Sequence, residues 1–150
     1  MEYDDKRGVI LGVANNRSIA WGVAKAAAKQ GADLAFTFQG EALEKRVRPL
    51  AASVGSELVM PCDVTDDASM DTVFAEISNK WGGLDFMVHA IAYADKDELD
   101  GRYVDTTAGN FARSVDISCY SFTTLCQRAE KLMPNGGSIL TLTYYGAERV

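Results

Sequence analysis

Cysteine, histidine and proline are scarce in this 150-residue chain, which contains three cysteines, one histidine and three prolines. The cysteines Cys62, Cys119 and Cys126 are odd in number, and no two of them have the C-x-x-C spacing of zinc and redox sites. The sequence therefore predicts neither a disulfide framework nor a metal site. We expect all three thiols to be reduced and buried, as free cysteines usually are.

Long apolar runs and an excess of positive charge are also missing. No apolar run approaches the roughly 18 residues that a membrane span requires, and residues 1–7 are too polar for a signal peptide. The formal net charge of −6 argues against nucleic acid as a partner, because phosphate binding needs clustered lysine and arginine. We therefore expect a cytoplasmic protein with neither a membrane nor a nucleic acid as its partner.

Short apolar runs alternate with helical patterns along the whole chain. The predicted strands are residues 9–11, 32–38, 57–62, 84–91 and 138–143. The predicted helices are residues 18–30, 41–54, 65–80 and 107–133. This alternation predicts an α/β fold, a doubly wound parallel sheet with right-handed crossovers and the strand order 3-2-1-4-5.

Residues 8–22 join the first strand to the first helix through a glycine turn. Such a turn places backbone N–H groups and a helix N-terminus against a phosphate. Gly12 would allow the sharp turn, and Gly22 would let the helix lie close to the neighbouring strand. The spacing differs from G-x-G-x-x-G, with Ser18 and Ile19 where that motif has a small residue beside the pyrophosphate. An ordinary turn without a ligand is the alternative.

Polar side chains follow several of the predicted strands, at the edge of the sheet where ligands bind. Asp63 either accepts a hydrogen bond from an adenine amino group or caps the next helix. Gln39 occupies the position of the acidic residue that usually binds the ribose, which leaves the choice between NAD and NADP open. Tyr144 and Tyr145 follow the last strand, where a phenol either donates to an oxyanion or covers the sheet end. His89 lies inside an apolar strand and is predicted to be a core residue rather than a base.

The last predicted strand, residues 138–143, would be an apolar edge of the sheet, which proteins usually cover. No further helix or strand follows it in the sequence. We therefore expect residues 1–150 to form a dinucleotide-binding Rossmann domain that is incomplete at its C-terminus and lacks the last strands.

Four segments in order carry a specific resemblance: residues 12–22, 36–39 (Phe-Thr-Phe-Gln), 62–64 (Cys-Asp-Val) and 142–149 (Leu-Thr-Tyr-Tyr-Gly-Ala-Glu-Arg). Together they resemble the bacterial NADH-dependent enoyl-acyl-carrier-protein reductases, a divergent branch of the short-chain dehydrogenase/reductase superfamily. The resemblance covers essentially the whole chain. It implies NADH as the cofactor, an enoyl thioester on acyl carrier protein as the substrate, and a cytoplasmic homotetramer of type II fatty-acid synthesis.

The resemblance also implies roles for individual residues. The implied cofactor-binding positions are Gly12, Ser18, Ile19, Gln39, Asp63, Val64 and Ile91. The first three would line the pyrophosphate and nearby ribose, Gln39 would lie near the adenosine, and Ile91 would flank the nicotinamide ribose. Asp63 and Val64 would hold the adenine.

On the substrate side, Ala94 would border the substrate and Tyr144 matches the first of the family's two active-site tyrosines. Ala92 departs from the pattern, because many members have glycine there. The implied reaction is hydride transfer to the β-carbon of a trans-2-enoyl thioester, which leaves an enolate. The family's Tyr-x6-Lys pair would lie beyond residue 150, so we expect the chain alone to be inactive.

Two alternatives remain open at this stage. One is another short-chain dehydrogenase/reductase, such as a 3-oxoacyl reductase, for which a downstream Tyr-x3-Lys pair would be the sign. The other is a nucleotide-binding fragment without catalytic activity.

Overall fold

Five strands form one parallel sheet in the computed structural model, which describes residues 2–149. The strands are β1 (Arg7–Leu11), β2 (Asp33–Phe38), β3 (Leu58–Pro61), β4 (Phe86–His89) and β5 (Ser138–Thr141). Their order is β3-β2-β1-β4-β5, and each neighbouring pair is parallel. The predicted α/β fold and its strand order are therefore confirmed.

The first three helices connect these strands. They are α1 (Ile19–Lys29), α2 (Glu41–Ser53) and α3 (Asp67–Trp81). Helix α3 begins after Asp66, whose side chain accepts a hydrogen bond from the backbone N–H of Ala68 at 3.0 Å. It ends at Gly82, which adopts a left-handed conformation with φ of 72°. Because of these two caps, α3 begins and ends within two residues of the bounds predicted from the sequence.

The helix predicted over residues 107–133 has the expected extent but an irregular middle. It consists of α4 (Ala108–Val115), a π-helical turn (Asp116–Tyr120), α5 (Ser121–Ala129) and a closing 3₁₀ turn (Glu130–Leu132). Thr107 caps its start by accepting from the N–H of Asn110 at 3.2 Å. Nothing in the apolar periodicity of the sequence indicates the wider turn, which is a feature often found at functional sites.

A hydrophobic core lies on each face of the sheet, because successive side chains of a strand point to opposite sides. In β1, Val9 and Leu11 pack with α3 and α5, whereas Ile10 packs with α1 and α2. All three side chains are fully buried. Burial on both faces explains why the central strands have continuous apolar runs rather than alternating ones.

Strand β5 lies at the edge of the sheet, as predicted, and within residues 2–149 it pairs only with β4. Leu140 in this strand and Leu142 just after it expose 44% and 40% of their surface, respectively. This edge therefore presents apolar side chains on the described part of the chain. In that same part, no helix is both long and apolar enough to cross a bilayer.

The prediction for the cysteines is only partly confirmed. All three are free, and Cys62 is buried, which raises the pKa of its thiol to about 11. Cys126 is half-buried, and Cys119 is exposed. The expected burial of Cys119 is wrong, because this residue lies in the exposed part of the π-helical turn, next to the exposed Tyr120.

Candidate functional site

The turn after β1 depends on the glycine at position 12. Gly12 has a φ of 102°, and a Cβ atom there would overlap the carbonyl oxygen of Ala90 at the end of β4. The predicted close approach at Gly22 is wrong, because Gly22 is exposed and a Cβ there would meet no atom of a neighbouring strand or helix of residues 2–149 within 4 Å. Helix α1 packs on the sheet through a different set of positions: Ala20, Trp21, Ala24 and Ala27.

Ser18 organises the turn between Gly12 and α1. Its Oγ accepts hydrogen bonds from the backbone N–H groups of Ala14 and Asn15, both at 3.0 Å. The hydroxyl hydrogen of Ser18 is left to donate outward. The first N–H groups of α1, beginning at Ile19, have no partner within the helix. The turn therefore has the donors that an anionic group requires.

A cavity of about 200 Å³ lies at the carboxyl ends of the strands. Five of the predicted cofactor positions line it: Gly12, Gln39, Asp63, Val64 and Ile91. Its walls are mostly apolar, with Phe38 at the end of β2 and Ala90 at the end of β4 among them. A narrow apolar space with a few polar groups at its edge suits a flat heteroaromatic ring.

Asp63 is the carboxylate of this cavity. Its Oδ1 accepts from the hydroxyl of Thr65 at 2.7 Å and from the backbone N–H of Thr65 at 2.9 Å. These hydrogen bonds, with a further one from Gln39, hold the pKa of Asp63 below its usual value. The carboxylate is therefore ionised and able to accept a hydrogen bond from a ligand. It does not cap the next helix, because Asp66 does so.

A wider groove adjoins the cavity and contains residues that the sequence analysis missed. The guanidinium carbon of Arg113 lies 4.7 Å from the ring centre of Tyr93, and both residues line the groove with Asp116. Ile117, from the π-helical turn, lines both the groove and the cavity. The Asp63-x-Thr65 pattern was a visible signal for Thr65, since such a pattern favours a local side-chain turn.

The remaining predicted residues lie outside this cavity. Ser18 precedes α1, and Ile19, in its first turn, exposes 69% of its surface. Ala94 is exposed in the loop after β4, and Tyr144, which follows β5, is 86% exposed. Because all the strands are parallel, this loop and Tyr144 are on the same edge of the sheet as the cavity.

The loop that contains Ala94 is tied to the long helix at several points. Ser118 in the π-helical turn accepts from the N–H of Tyr93 at 2.9 Å and donates to the carbonyl oxygen of Tyr93 at 3.1 Å. The amide oxygen of Asn110 accepts from the N–H of Asp95 at 3.0 Å, and its amide nitrogen donates to Glu98 at 3.1 Å. The backbone on both sides of Ala94 is therefore fixed.

His89 is a core residue, as predicted, with 1% of its surface exposed. Its Nδ1 lies 2.9 Å from Thr141 Oγ1 and its Nε2 lies 2.8 Å from Ser121 Oγ. The ring also packs against Phe122, with the two ring centres 5.4 Å apart. Burial lowers the pKa of His89 below its ordinary value, because the charged imidazolium is less well solvated there.

We expect the buried His89 to make stability depend on pH. The unfolded chain binds a proton near the ordinary pKa of about 6.5, whereas folded His89 binds one only at lower pH. The stabilisation from the neutral side chain is therefore complete above about pH 6.5 and is lost as the pH falls toward the folded pKa.

Thermal unfolding of the protein, measured from pH 7 to pH 5, checks this expectation. The melting temperature should fall with pH, and the fall should be smaller in a His89→Asn variant. The carboxyl groups with lowered pKa values, Asp63, Asp85 and Glu98, titrate at lower pH and do not obscure the effect. Equal slopes in the two proteins would contradict it.

Comparison with known proteins assigns this chain to a family. A model of the enoyl-(acyl carrier protein) reductase family matches residues 12–150. The enoyl-acyl-carrier-protein reductase (NADH) 1 of Rhizobium meliloti is 63% identical over 145 residues, which are 97% of this chain and 53% of that protein. The corresponding protein of Rickettsia bellii is 56% identical over 145 residues, covering 97% of this chain and 55% of its own length.

Solved structures of similar proteins have the same fold. An Anaplasma phagocytophilum enoyl-(acyl-carrier-protein) reductase in complex with NAD matches with a TM-score of 0.95 and 58% identity, covering all of this chain and 57% of its own. A Bacillus cereus enoyl-acyl carrier protein reductase with NADP⁺ and an indole naphthyridinone matches with a TM-score of 0.94 and 45% identity, over 60% of its own chain. The chain thus spans a little over half the length of the relatives it matches.

Proposed function

Because the chain belongs to the enoyl-(acyl carrier protein) reductase family, we propose that the intact protein containing it reduces the trans-2 double bond of an enoyl thioester on acyl carrier protein, with NADH as the hydride donor. The observation that supports this proposal most directly is the cavity at the carboxyl ends of the strands. There the Gly12 turn, the Asp63 carboxylate and Ile91 lie around one space.

We propose that residues 1–150 form the dinucleotide-binding domain of that protein. The close approach of Gly12 to Ala90 leaves room only for backbone at the turn, and the Ser18 hydroxyl and the N–H groups from Ile19 onward would hold the pyrophosphate. Asp63 and Val64 would hold the adenine, with Gln39 near the adenosine.

Towards the reacting end, Ile91 would flank the nicotinamide ribose, and Ala94 would border the acyl substrate. When bound, NADH supplies the hydride. Tyr144 would donate its phenolic hydrogen to the thioester oxygen as negative charge develops there. Its exposed position on the ligand-binding edge of the sheet supports this role.

The test of the proposed function is a comparison of two substrates with the intact protein. NADH oxidation is followed with a trans-2-enoyl thioester and, separately, with a 3-oxoacyl thioester of the same chain length. Turnover of the enoyl substrate supports the proposal. Turnover of the 3-oxoacyl substrate alone would favour another short-chain reductase, and turnover of neither would favour a nucleotide-binding role.

We expect the intact protein to prefer NADH to NADPH, because Gln39 provides no positive charge for a 2′-phosphate. Two cations of α2 are already paired with carboxylates, Arg48 with Glu44 at 2.7 Å and Lys45 with Glu41 at 2.7 Å, and Arg113 in the adjoining groove lies against the ring of Tyr93. Initial rates at equal cofactor concentrations measure the preference. A Gln39→Arg variant should shift the ratio of rates toward NADPH by about tenfold, the effect of one new charge-assisted contact.

The control for this substitution is Gln30→Arg, which adds the same charge at the C-terminal end of α1, away from the cavity. It should leave the ratio of rates unchanged. A clear preference of the unmodified protein for NADPH would contradict the role proposed for Gln39.

We also propose that the intact protein is a cytoplasmic homotetramer, whereas residues 1–150 alone are inactive. The long helix supports the proposed assembly, since Phe111, Val115 and Tyr120 on it are 52%, 44% and 54% exposed. The relatives support the proposed inactivity, because they are almost twice as long as the segment they share with this chain.

A further inference from the structure

The hydrogen bonds of His89 connect three segments that border the proposed reducing site. His89 directly precedes Ala90, which lines the cavity. Its Nε2 contacts Ser121 Oγ, which in turn donates to the carbonyl oxygen of Ile117 at 2.6 Å. Its Nδ1 contacts Thr141 at the end of β5, three residues before Tyr144.

The polar hydrogens of His89, Ser121 and Thr141 can be assigned from the contacts alone. A serine hydroxyl has one hydrogen, and that of Ser121 is directed to the Ile117 carbonyl oxygen. Ser121 Oγ must therefore accept from His89, so Nε2 has the hydrogen and Nδ1 has the lone pair. The Thr141 hydroxyl must then donate to Nδ1. The geometry thus selects the neutral Nε2–H tautomer of His89.

This arrangement fixes the π-helical turn (Asp116–Tyr120) from two sides. Ser121, directly after the turn, is held by His89 on β4, while Ser118 within the turn is held by both backbone polar groups of Tyr93. Ile117 directly precedes Ser118, and its carbonyl oxygen accepts from Ser121, so Ile117 has a defined place in the cavity wall.

We propose that His89 is a positioning residue for hydride transfer, which as the neutral Nε2–H tautomer fixes the end of β5, and with it the segment that leads to Tyr144, relative to Ala90 and Ile117 in the cavity wall. This role rests on the proposed function. His89 is not proposed to touch the reacting atoms, because its side chain is buried in the core. Its effect passes through the Thr141 hydroxyl to the segment that contains Tyr144.

The decisive comparison is between two substitutions of Thr141 in the intact protein. Thr141→Val keeps the shape and strand preference of threonine but removes the hydroxyl that donates to Nδ1. Thr141→Ser keeps the hydroxyl but loses the methyl group. A purely structural role of this position predicts that valine is tolerated better, whereas the positioning role predicts that serine is.

We expect Thr141→Val to lower kcat for the enoyl thioester by about fivefold, with the KM for NADH within about twofold of the unmodified protein. Thr141→Ser should keep kcat within about twofold. The matched control is Ser56→Ala, which removes a side-chain hydrogen bond to Leu34 at the opposite edge of the sheet. It should lower the melting temperature without changing kcat.

A second measurement does not depend on turnover. Imidazole nitrogen NMR signals that are absent from a His89→Asn variant belong to His89, and they should show a protonated Nε2 and an unprotonated Nδ1 at pH 7. Finding the opposite tautomer would overturn the positioning role alone. A Thr141→Val variant with the same kcat as the unmodified protein would do the same. An unmodified protein with no turnover of the enoyl thioester would overturn the proposed function and this role with it.

Discussion

Replacing Gly12 with alanine is expected to weaken NADH binding by at least about 100-fold, equivalent to about 2.8 kcal/mol. The added Cβ would overlap the carbonyl oxygen of Ala90, and the φ of 102° is one that residues with a side chain rarely adopt. Either the turn or the end of β4 must move. Both line the cavity, so the shape of the cavity changes together with the donors around Ser18. Fluorescence titration of the intact protein with NADH measures the loss.

Gly22→Ala is the matched control, because it makes the same chemical change ten positions further along the same segment. Gly22 lies in the exposed interior of α1 with open space beside it. Alanine there should stabilise the protein by about 0.5–1 kcal/mol and leave NADH affinity unchanged. Equal NADH affinities of the Gly12→Ala variant and the unmodified protein would contradict the proposed cofactor cradle.

Tyr144→Phe should lower the turnover of the enoyl thioester by about tenfold while NADH affinity stays nearly constant. Loss of one oxyanion donor typically costs about 10²–10³-fold. We expect a smaller effect, because the family's second tyrosine would be the principal donor. The phenol of Tyr144 lies beyond β5 and outside the cavity at the strand ends, so the effect should appear in kcat rather than in cofactor binding. Steady-state kinetics of the intact variant measure both quantities.

Tyr145→Phe provides the comparison for Tyr144, since it removes the same hydroxyl group one position away. The ring of Tyr145 lies against Arg149, with the guanidinium carbon 5.8 Å from the ring centre, and its packing does not need the hydroxyl. Turnover should therefore be nearly unchanged in this variant. If the two variants have the same kinetics as the unmodified protein, Tyr144 covers the end of the sheet and has no part in the reaction.

The sheet could be predicted from the sequence because its pattern is local. Each run of apolar residues is bounded by turn residues, as at Gly12 and at Pro134 to Gly137, and the helical patterns between the runs have a different period. Handedness and crossover rules then give the strand order. Five residues of the cavity could also be predicted from the strand ends, since ligands bind at the carboxyl ends of parallel strands.

The parts that sequence reasoning missed depend on long-range packing. The π-helical turn has no sequence period of its own, so the position of Ile117 in the cavity wall could not be foreseen. The same turn places Cys119 outward, contrary to expectation. The role given to Gly22 failed because a glycine in a helix does not reveal which side of the helix faces the sheet.

Two aspartates that follow β3, Asp63 and Asp66, have separate roles, one at the cavity and one at the helix start, which a single residue often combines. The side chain of Asp66 caps the start of α3, whereas the side chain of Asp63 accepts hydrogen bonds from Thr65 and Gln39. Exchanging the side chain of Asp63 would therefore leave the Asp66 cap of α3 intact. In evolutionary terms, the side chain presented to this end of the cavity can vary without loss of the helix cap, so the chemistry of the cavity and the folding of α3 can change independently at this point of the chain.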